Sequence, residues 1–217
     1  MKVVEIAKKD IRVELRTKNS IYFMLLFALI SSAMFSVSIP VEAYDVVASP
    51  LLWIVLLFVG MLGYSRAFLR ELEAGTLDGL RISPISPISV LFGKTLYNMF
   101  LMLLVEAMIV PIFFVLFQPK IENTPLFLLS LTAGNVAFVI VSSSLSVLIL
   151  KSKTRELLMP ILLFPVVFPV ISSTLAALNM AKMGTVDDIL SPLALILSFS
   201  VAMVGVAFLT FEHAFFD

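Results

Sequence analysis

The stretch Thr95–Phe117, TLYNMFLMLLVEAMIVPIFFVLF, contains a single charged residue, Glu106. It is longer than the ~20 residues that a helix needs to cross ~30 Å of hydrocarbon. Five further apolar stretches contain no charged residue: Ile21–Ile39, Val46–Tyr64, Leu126–Leu150, Leu157–Leu178 and Ile189–Phe211. Because hydrocarbon offers backbone polar groups no partner, each stretch is predicted to be a helix. The sequence therefore predicts an all-α integral membrane protein with six transmembrane helices.

The composition fits a single membrane domain over residues 1–217. Sixty per cent of the residues are apolar and 14% are charged, against about 25% charged in a typical soluble domain. The apolar stretches do not alternate in polarity every second residue, as the strands of a transmembrane barrel do. The spans and short loops leave no room for a soluble catalytic domain. The chain has no cysteine, which excludes disulfides and thiolate ligands.

Basic residues divide unevenly between the two sides that six spans define. Thirteen of the fifteen Lys and Arg residues lie in the N-terminal segment and in the second and fourth connections, whereas Lys120 and Lys182 lie in the others. Short loops rich in Lys and Arg remain in the cytoplasm. Both termini are therefore predicted to be cytoplasmic, in a cell membrane. The long basic segment before the first span favours a retained span over a cleaved signal peptide.

Residues 1–18 are predicted to form an amphipathic helix before the first span. Val4, Ala7, Ile11 and Leu15 recur every three or four residues, as on one face of a helix. The basic residues off this stripe are Lys8, Lys9, Arg12 and Arg16. Such a helix can lie among the lipid headgroups of the inner leaflet. The alternative is an ordinary cytoplasmic extension of the first span.

The longest polar connection joins the second and third spans. Gly75 is expected to break the helix that leaves the second span, and Thr76 to cap a short second turn. Ser86 followed by Pro87 predicts the start of the third helix, which would run to Phe117 and begin below the hydrocarbon. Three residues share an apolar face of the connection, Phe68, Leu69 and Leu72.

No catalytic or metal-binding constellation is visible in the sequence. The only histidine is His213. Gly93-Lys94 resembles the end of a phosphate-binding loop, but the glycine that this motif needs five residues earlier is Ile88. The chain is therefore predicted not to be an enzyme, and no nucleic-acid partner is expected.

Glu106 is the only ionisable residue inside a predicted span. A carboxylate at that depth is costly unless it is protonated, paired or hydrated. One interpretation is a contact in a translocation path. The other is a hydrogen-bonded group packed between helices, with Asn135 or the run Ser142–Ser144 as its partner. Both interpretations are open at this point.

The second connection carries a specific resemblance to a known family. It reads FLRELEAGTLDGL over residues 68–80, followed by Ser83-Pro84 and later by Gly93-Lys94. This pattern is similar to the membrane subunits of type-two ABC exporters, which place a coupling helix between their second and third spans. With its length, six spans and short external loops, the chain most resembles the CcmB family, the haem exporter membrane proteins of cytochrome c maturation.

The resemblance implies a permease subunit driven by a separate cytoplasmic ABC ATPase. ATP would be used by that partner, and no cofactor would be intrinsic to this chain. Pairing as a homodimer or with another membrane subunit is implied, together with haem-handling subunits and a periplasmic haem chaperone. Haem would be the transported or handled ligand. The coupling segment, residues 66–86, would dock the ATPase through Phe68, Leu69, Glu71, Leu72, Glu73, Gly75, Thr76, Leu77, Asp78 and Leu80.

Three alternatives to this function remain at the level of the sequence. A generic type-two ABC permease for another substrate would share the same motif. A membrane assembly subunit without a transport path would look the same. A secondary transporter would carry more ion-binding groups and a repeat between its two halves, and no convincing repeat is visible.

Overall fold

In a computed structural model of the chain, residues 2–73, 86–148, 155–185 and 188–216 are described, and they fold into helices without a strand. The long helices are α1 (Lys2–Thr17), α2 (Asn19–Ser38), α3 (Tyr44–Glu73), α4 (Pro87–Phe117), α5 (Thr124–Leu148), α6 (Arg155–Lys182) and α7 (Leu190–Phe216), and a short 3-10 helix, Val41–Ala43, precedes α3. Helices α2 to α7 are each long and apolar enough to cross a membrane. This confirms the prediction of six spanning helices.

The ends of the helices follow local sequence signals. As predicted, α4 begins at Pro87, whose missing N–H costs nothing in the first turn. The Ser86 hydroxyl does not cap the backbone there, since it contacts the Ser89 hydroxyl at 2.7 Å instead. Helix α6 runs four residues beyond the predicted Leu178, and Gly184 follows it with a φ of 71°. The predicted break at Gly75 lies outside the described residues.

Helices α3 and α5 form the centre of the bundle. Helix α5 packs against α3, α4, α6 and α7, and α3 packs against α2, α4, α5 and α6. In their apolar windows, 61% of the α5 residues and 56% of the α3 residues are buried, against 28% in α2 and 22% in α7. Helices α2 and α7 therefore lie at the periphery and turn most of their apolar surface outward.

Small residues allow the central helices to approach closely. Gly134 of α5 lies against Thr174 of α6, and a Cβ at this position would overlap the threonine side chain. Gly60 of α3 is similarly closed off by the Phe138 ring of α5. Close backbone approach at small residues is the usual way in which membrane helices gain packing energy. It explains how α5 packs closely against α3 and α6.

The loops at one end of the bundle are tied together by polar contacts. The Lys182 ammonium lies 3.0 Å from the Asp45 carboxylate, and the Lys120 backbone N–H donates to the same carboxylate at 3.2 Å. The N–H groups of Glu122 and Asn123 donate to the carbonyl oxygens at the end of α6, at 3.2 and 3.3 Å. These contacts join the start of α3, the α4–α5 loop and the end of α6. They involve both basic residues that are predicted to lie outside.

Candidate functional site

Two helices project from the apolar layer beside the predicted docking segment. Helix α3 continues to Glu73, nine residues past Tyr64, the last residue of its uncharged apolar run, a distance of about 14 Å at 1.5 Å per residue. A hydrocarbon span of about 20 residues counted back from Phe117 reaches Asn98, so by this length the start of α4 would also project, by about 15 Å. The docking residues from Phe68 to Glu73 belong to α3. The remaining predicted docking residues, Gly75, Thr76, Leu77, Asp78 and Leu80, lie outside the described part.

Helix α1 packs across the projecting end of α4, at Gly93. A Cβ at Gly93 would lie 2.7 Å from Cγ2 of Ile6 and 3.1 Å from the carbonyl oxygen of Val3. The two helices therefore meet where a larger residue would push them apart. Ile6 and Ala7 are buried in this contact. Gly93, first noted as part of a motif, has a packing role.

Lys94 forms a buried ion pair at the same crossing. Its ammonium lies 2.8 Å from the Asp10 carboxylate, and only 3% of its side chain is exposed. A buried cation that loses its counter-ion is strongly destabilising, even where the intact pair contributes little. The pair therefore holds α1 in one position against α4.

Glu14 accepts hydrogen bonds from α2 and α4. It is fully buried, and its Oε1 accepts the backbone N–H groups of Ser20 at 2.7 Å and Ile21 at 3.3 Å. Its Oε2 accepts the hydroxyls of Ser20 and Tyr97, both at 3.1 Å. The two N–H groups belong to the first turn of α2, where they lack helical partners and the helix dipole favours a negative charge. One carboxylate thus links α1, α2 and α4.

The buried face of α1 differs from the apolar stripe read in the sequence. Of the stripe residues, Ala7 is buried against the protein, whereas Val4 and Leu15 are 49% and 45% exposed. The face that meets α4 contains Ile6 and the carboxylate Glu14 instead. Apolar periodicity does not reveal this face, because it carries the charged residues Asp10 and Glu14. Much of the apolar stripe therefore remains available to another partner.

Glu106 is paired inside the span. The Thr132 hydroxyl donates to its Oε1 at 2.7 Å, and the Asn135 amide donates to its Oε2 at 2.5 Å. Both donors lie on α5, so the contact joins α4 to the central helix of the bundle. Glu106 is 6% exposed and Asn135 is fully buried. The structure thus brings together the two residues of the predicted intramembrane polar site.

The serine run does not reach Glu106. The hydroxyls of Ser142 and Ser144 donate to carbonyl oxygens one turn earlier in α5, at 2.7 Å. Ser143 instead receives the Asn98 amide of α4 at 3.4 Å. The two contacts are eight residues apart along α4, from Asn98 to Glu106, and eight residues apart along α5, from Asn135 to Ser143. This is the register of an antiparallel helix pair. These contacts form a polar seam between α4 and α5.

Glu106→Leu is expected to lower stability by about 1–3 kcal/mol, because it leaves buried donors of Thr132 and Asn135 without an acceptor. Glu106→Gln should be milder. The Asn135 amide can rotate so that its Oδ1, which has no hydrogen-bond partner, accepts from the new amide. Thermal unfolding of the purified proteins in detergent measures the stability of both variants. A Leu variant as stable as the Gln variant would contradict this role.

Helix α6 presents two prolines on an exposed face. Pro165 and Pro169 are both exposed. Proline has no backbone N–H, so Ile161 and Pro165 receive no helical hydrogen bond at their carbonyl oxygens. Hydrocarbon would leave such carbonyls unsatisfied, whereas water or a neighbouring helix would not. These two carbonyl oxygens therefore need a partner from outside their own helix.

An aromatic row lies beside the prolines. The Phe58 ring of α3 is in contact with Phe27 of α2 and Phe164 of α6, with centroids 6.5 and 6.2 Å apart. Phe58 is 43% exposed and Phe168, one turn beyond Phe164, is 65% exposed. The row and the prolines together define the α3–α6 face. It carries polar backbone and large rings on one surface.

The comparison with known families identifies the chain. A search of curated proteins gave no match. A family model described as CcmB protein matches residues 1–216, which is nearly the whole chain. The match includes the α3–α4 connection on which the resemblance was based, and it agrees with the six membrane-spanning helices. The chain belongs to the CcmB family and is a membrane permease subunit of the haem exporter involved in cytochrome c maturation.

Proposed function

We propose that this permease is driven by a separate cytoplasmic ATPase, which docks on residues Phe68–Leu80. The observation that carries the proposal is the pair of projecting helix ends. Helix α3 leads into the docking segment and α4 leads out of it, and each extends about 14–15 Å beyond the apolar layer. Rigid helices on both sides of a docking segment transmit a displacement into the bundle.

The contacts that hold α1 on α4 support a role of α4 in transmitting movement from the ATPase. Gly93, Lys94 and Tyr97 lie on the projecting part of α4 and hold α1 through one close contact, one ion pair and one hydrogen bond. Glu14 then connects α1 to the start of α2. A movement of α4 is therefore passed to α1 and α2 together. The cytoplasmic half of the permease would move as one body.

We further propose that two copies of the chain assemble with their α3–α6 faces toward each other. The carbonyl oxygens of Ile161 and Pro165 receive no helical hydrogen bond from Pro165 and Pro169, and a two-fold interface places both copies of this face around a common axis. Such an arrangement would enclose a path next to the aromatic row, where haem is the proposed transported or handled ligand. The same face in a single copy would be exposed to lipid.

Phe168→Cys is expected to form a disulfide between copies when membranes are treated with a mild oxidant. A residue near a two-fold axis approaches its own copy, and the chain has no other cysteine. Val201→Cys on α7 is the matched control, because Val201 is 64% exposed and Phe168 is 65% exposed. Cross-linking is read on a non-reducing gel. Equal dimer yields from both variants would contradict the proposed interface.

Both termini are proposed to be cytoplasmic, on the uneven distribution of basic residues. Cysteines at Glu42 and Asp188 should then react from outside with an impermeant thiol reagent, and cysteines at Lys8 and Ser86 should not. All four side chains are exposed in the structure. Labelling of intact cells, compared with labelling of opened membranes, makes the measurement. Labelling of Ser86→Cys in intact cells would reverse the orientation.

An assembly role without transport is the second candidate. The polar seam at Glu106 favours it to some extent, because Glu106 is enclosed between α4 and α5 rather than facing the α3–α6 surface. Partners proposed for either role are haem-handling subunits and a periplasmic haem chaperone. The transport role and the assembly role can be distinguished with purified permease and ATPase in liposomes. Only a transporter moves haem across the bilayer when ATP is added. ATP-driven release of the chaperone without haem movement would favour assembly.

A further inference from the structure

Helix α1 presents two adjacent strips that the protein leaves largely uncovered. Val4, Ile11 and Leu15 form the apolar strip, at spacings of seven and four residues, so they lie within about 40° of one another around the helix. Val4 and Leu15 are exposed, whereas Ile11 is half-buried and packs against the cluster of Ile21, Tyr97 and Leu101. The basic strip is formed by Lys8, Arg12 and Arg16, one turn apart along the helix and all exposed. The face that packs on α4 lies on another side.

The crossing with α4 fixes the depth of α1. Ile6 of α1 contacts Gly93 of α4, and further along both helices Glu14 of α1 contacts Tyr97 of α4. That is about 12 Å along α1 and about 6 Å along α4, so α1 crosses α4 obliquely. Because the hydrocarbon part of α4 ends near Asn98, this crossing lies at the boundary between hydrocarbon and headgroups.

We infer that α1 binds anionic phospholipid of the cytoplasmic leaflet. The basic strip pairs with lipid phosphates, and the apolar strip contacts the upper part of the acyl chains. A helix with Lys and Arg next to apolar side chains, held in the plane of the interface, has this preference. The surface potential of an anionic leaflet adds about 1 kcal/mol for each basic residue near it. Lipid binding would thus stabilise the packing of α1 on α4.

The position of the apolar strip favours lipid over a protein partner. The first turns of α2, which follow α1 after Lys18, also carry exposed apolar side chains: Tyr22, Phe23 and Leu26 are 62%, 44% and 58% exposed. Those residues begin the first spanning helix and face the hydrocarbon. An ATPase docked below the membrane would not cover an apolar strip at that level. The inference rests on the cytoplasmic placement of α1 proposed above.

Binding of phosphatidylglycerol to the full-length protein in detergent, measured by native mass spectrometry, tests the inference. Phosphatidylcholine is the neutral probe. Phosphatidylglycerol should bind more tightly than phosphatidylcholine. Arg12→Gln and Arg16→Gln should each weaken phosphatidylglycerol binding about five-fold, which corresponds to about 1 kcal/mol per charge. Leu15→Ser should weaken it without a change of charge.

Lys120→Gln is the matched control, since it removes one exposed positive charge from the opposite end of the bundle. It should leave phosphatidylglycerol binding unchanged. An equal loss in this control, or no preference for phosphatidylglycerol in the native protein, would overturn the inference. Loss of ATPase binding by Arg12→Gln with lipid binding intact would assign the strip to the protein partner. Thiol labelling at Lys8→Cys separates a wrong orientation of the chain from a failure of lipid binding.

Discussion

Leu72→Asp and Leu77→Asp are each expected to weaken ATPase binding at least about thirty-fold, or about 2 kcal/mol, the threshold of an interface hot spot. An amphipathic helix that docks in a groove is held mainly by its apolar anchors. An aspartate at such a position would bury an unpaired charge. The measurement is a pull-down of the cognate ATPase by the permease in detergent, with ATPase stimulation in liposomes beside it.

Charge reversals in the same segment serve as internal controls. Glu71→Lys should have a smaller effect than either aspartate, because rim charges contribute little to most interfaces. Glu73→Lys and Asp78→Lys should fall between, with hydrolysis uncoupled from transport while the ATPase remains bound. If both Leu→Asp variants hold and stimulate the ATPase like the native chain, the docking site is elsewhere.

Glu14→Leu is expected to destabilise the protein by about 3 kcal/mol or more. The change removes the acceptor of two backbone N–H groups and two hydroxyls, and a buried donor without a partner costs about 1–3 kcal/mol. Tyr97→Phe removes one of these donors and should cost about 1 kcal/mol. Thermal unfolding in detergent gives the stability. Trypsin cleavage at Arg12 and Arg16 reports whether α1 has left α4.

Glu14→Gln is the conservative control for this prediction. The new amide keeps one oxygen for the N–H groups of Ser20 and Ile21, and the hydroxyls of Ser20 and Tyr97 can rotate to accept from its nitrogen. It should therefore retain most of the native stability and protease resistance. A Leu variant with native stability and resistance would show that Glu14 is not needed to hold α1 on α4.

The spanning helices were predictable because long apolar runs in this chain have one stable conformation in hydrocarbon. The pairing of Glu106 was predictable in part for a related reason: a lone carboxylate in a span must find a partner, and Asn135 is a strong donor at similar depth. The serines were poorer candidates, since a helical serine can bond to a carbonyl of its own helix. Ser142 and Ser144 do so.

The contacts between α1 and α4 could not be predicted from one sequence. Glu14 and Tyr97 are 83 residues apart, and no local pattern states which distant hydroxyl a carboxylate will meet. Gly93 and Lys94 were visible as a motif, but their roles depend on the crossing of a second helix. Glutamate side chains are mostly exposed in proteins, whereas Glu14, in the last turn of α1, is buried among its donors.

The distance between Glu14 and Tyr97 has a consequence for biogenesis. At about 5–20 residues per second, translation reaches Tyr97 some 4 to 17 s after Glu14. During this interval Tyr97 has not yet been made, so of these partners the Glu14 carboxylate can bond only to the start of α2. The N-terminal helix is thus fixed only when the third span has entered the bilayer. A chain that stalls before this point presents a loose basic helix to quality-control proteases, whereas a chain past this point does not.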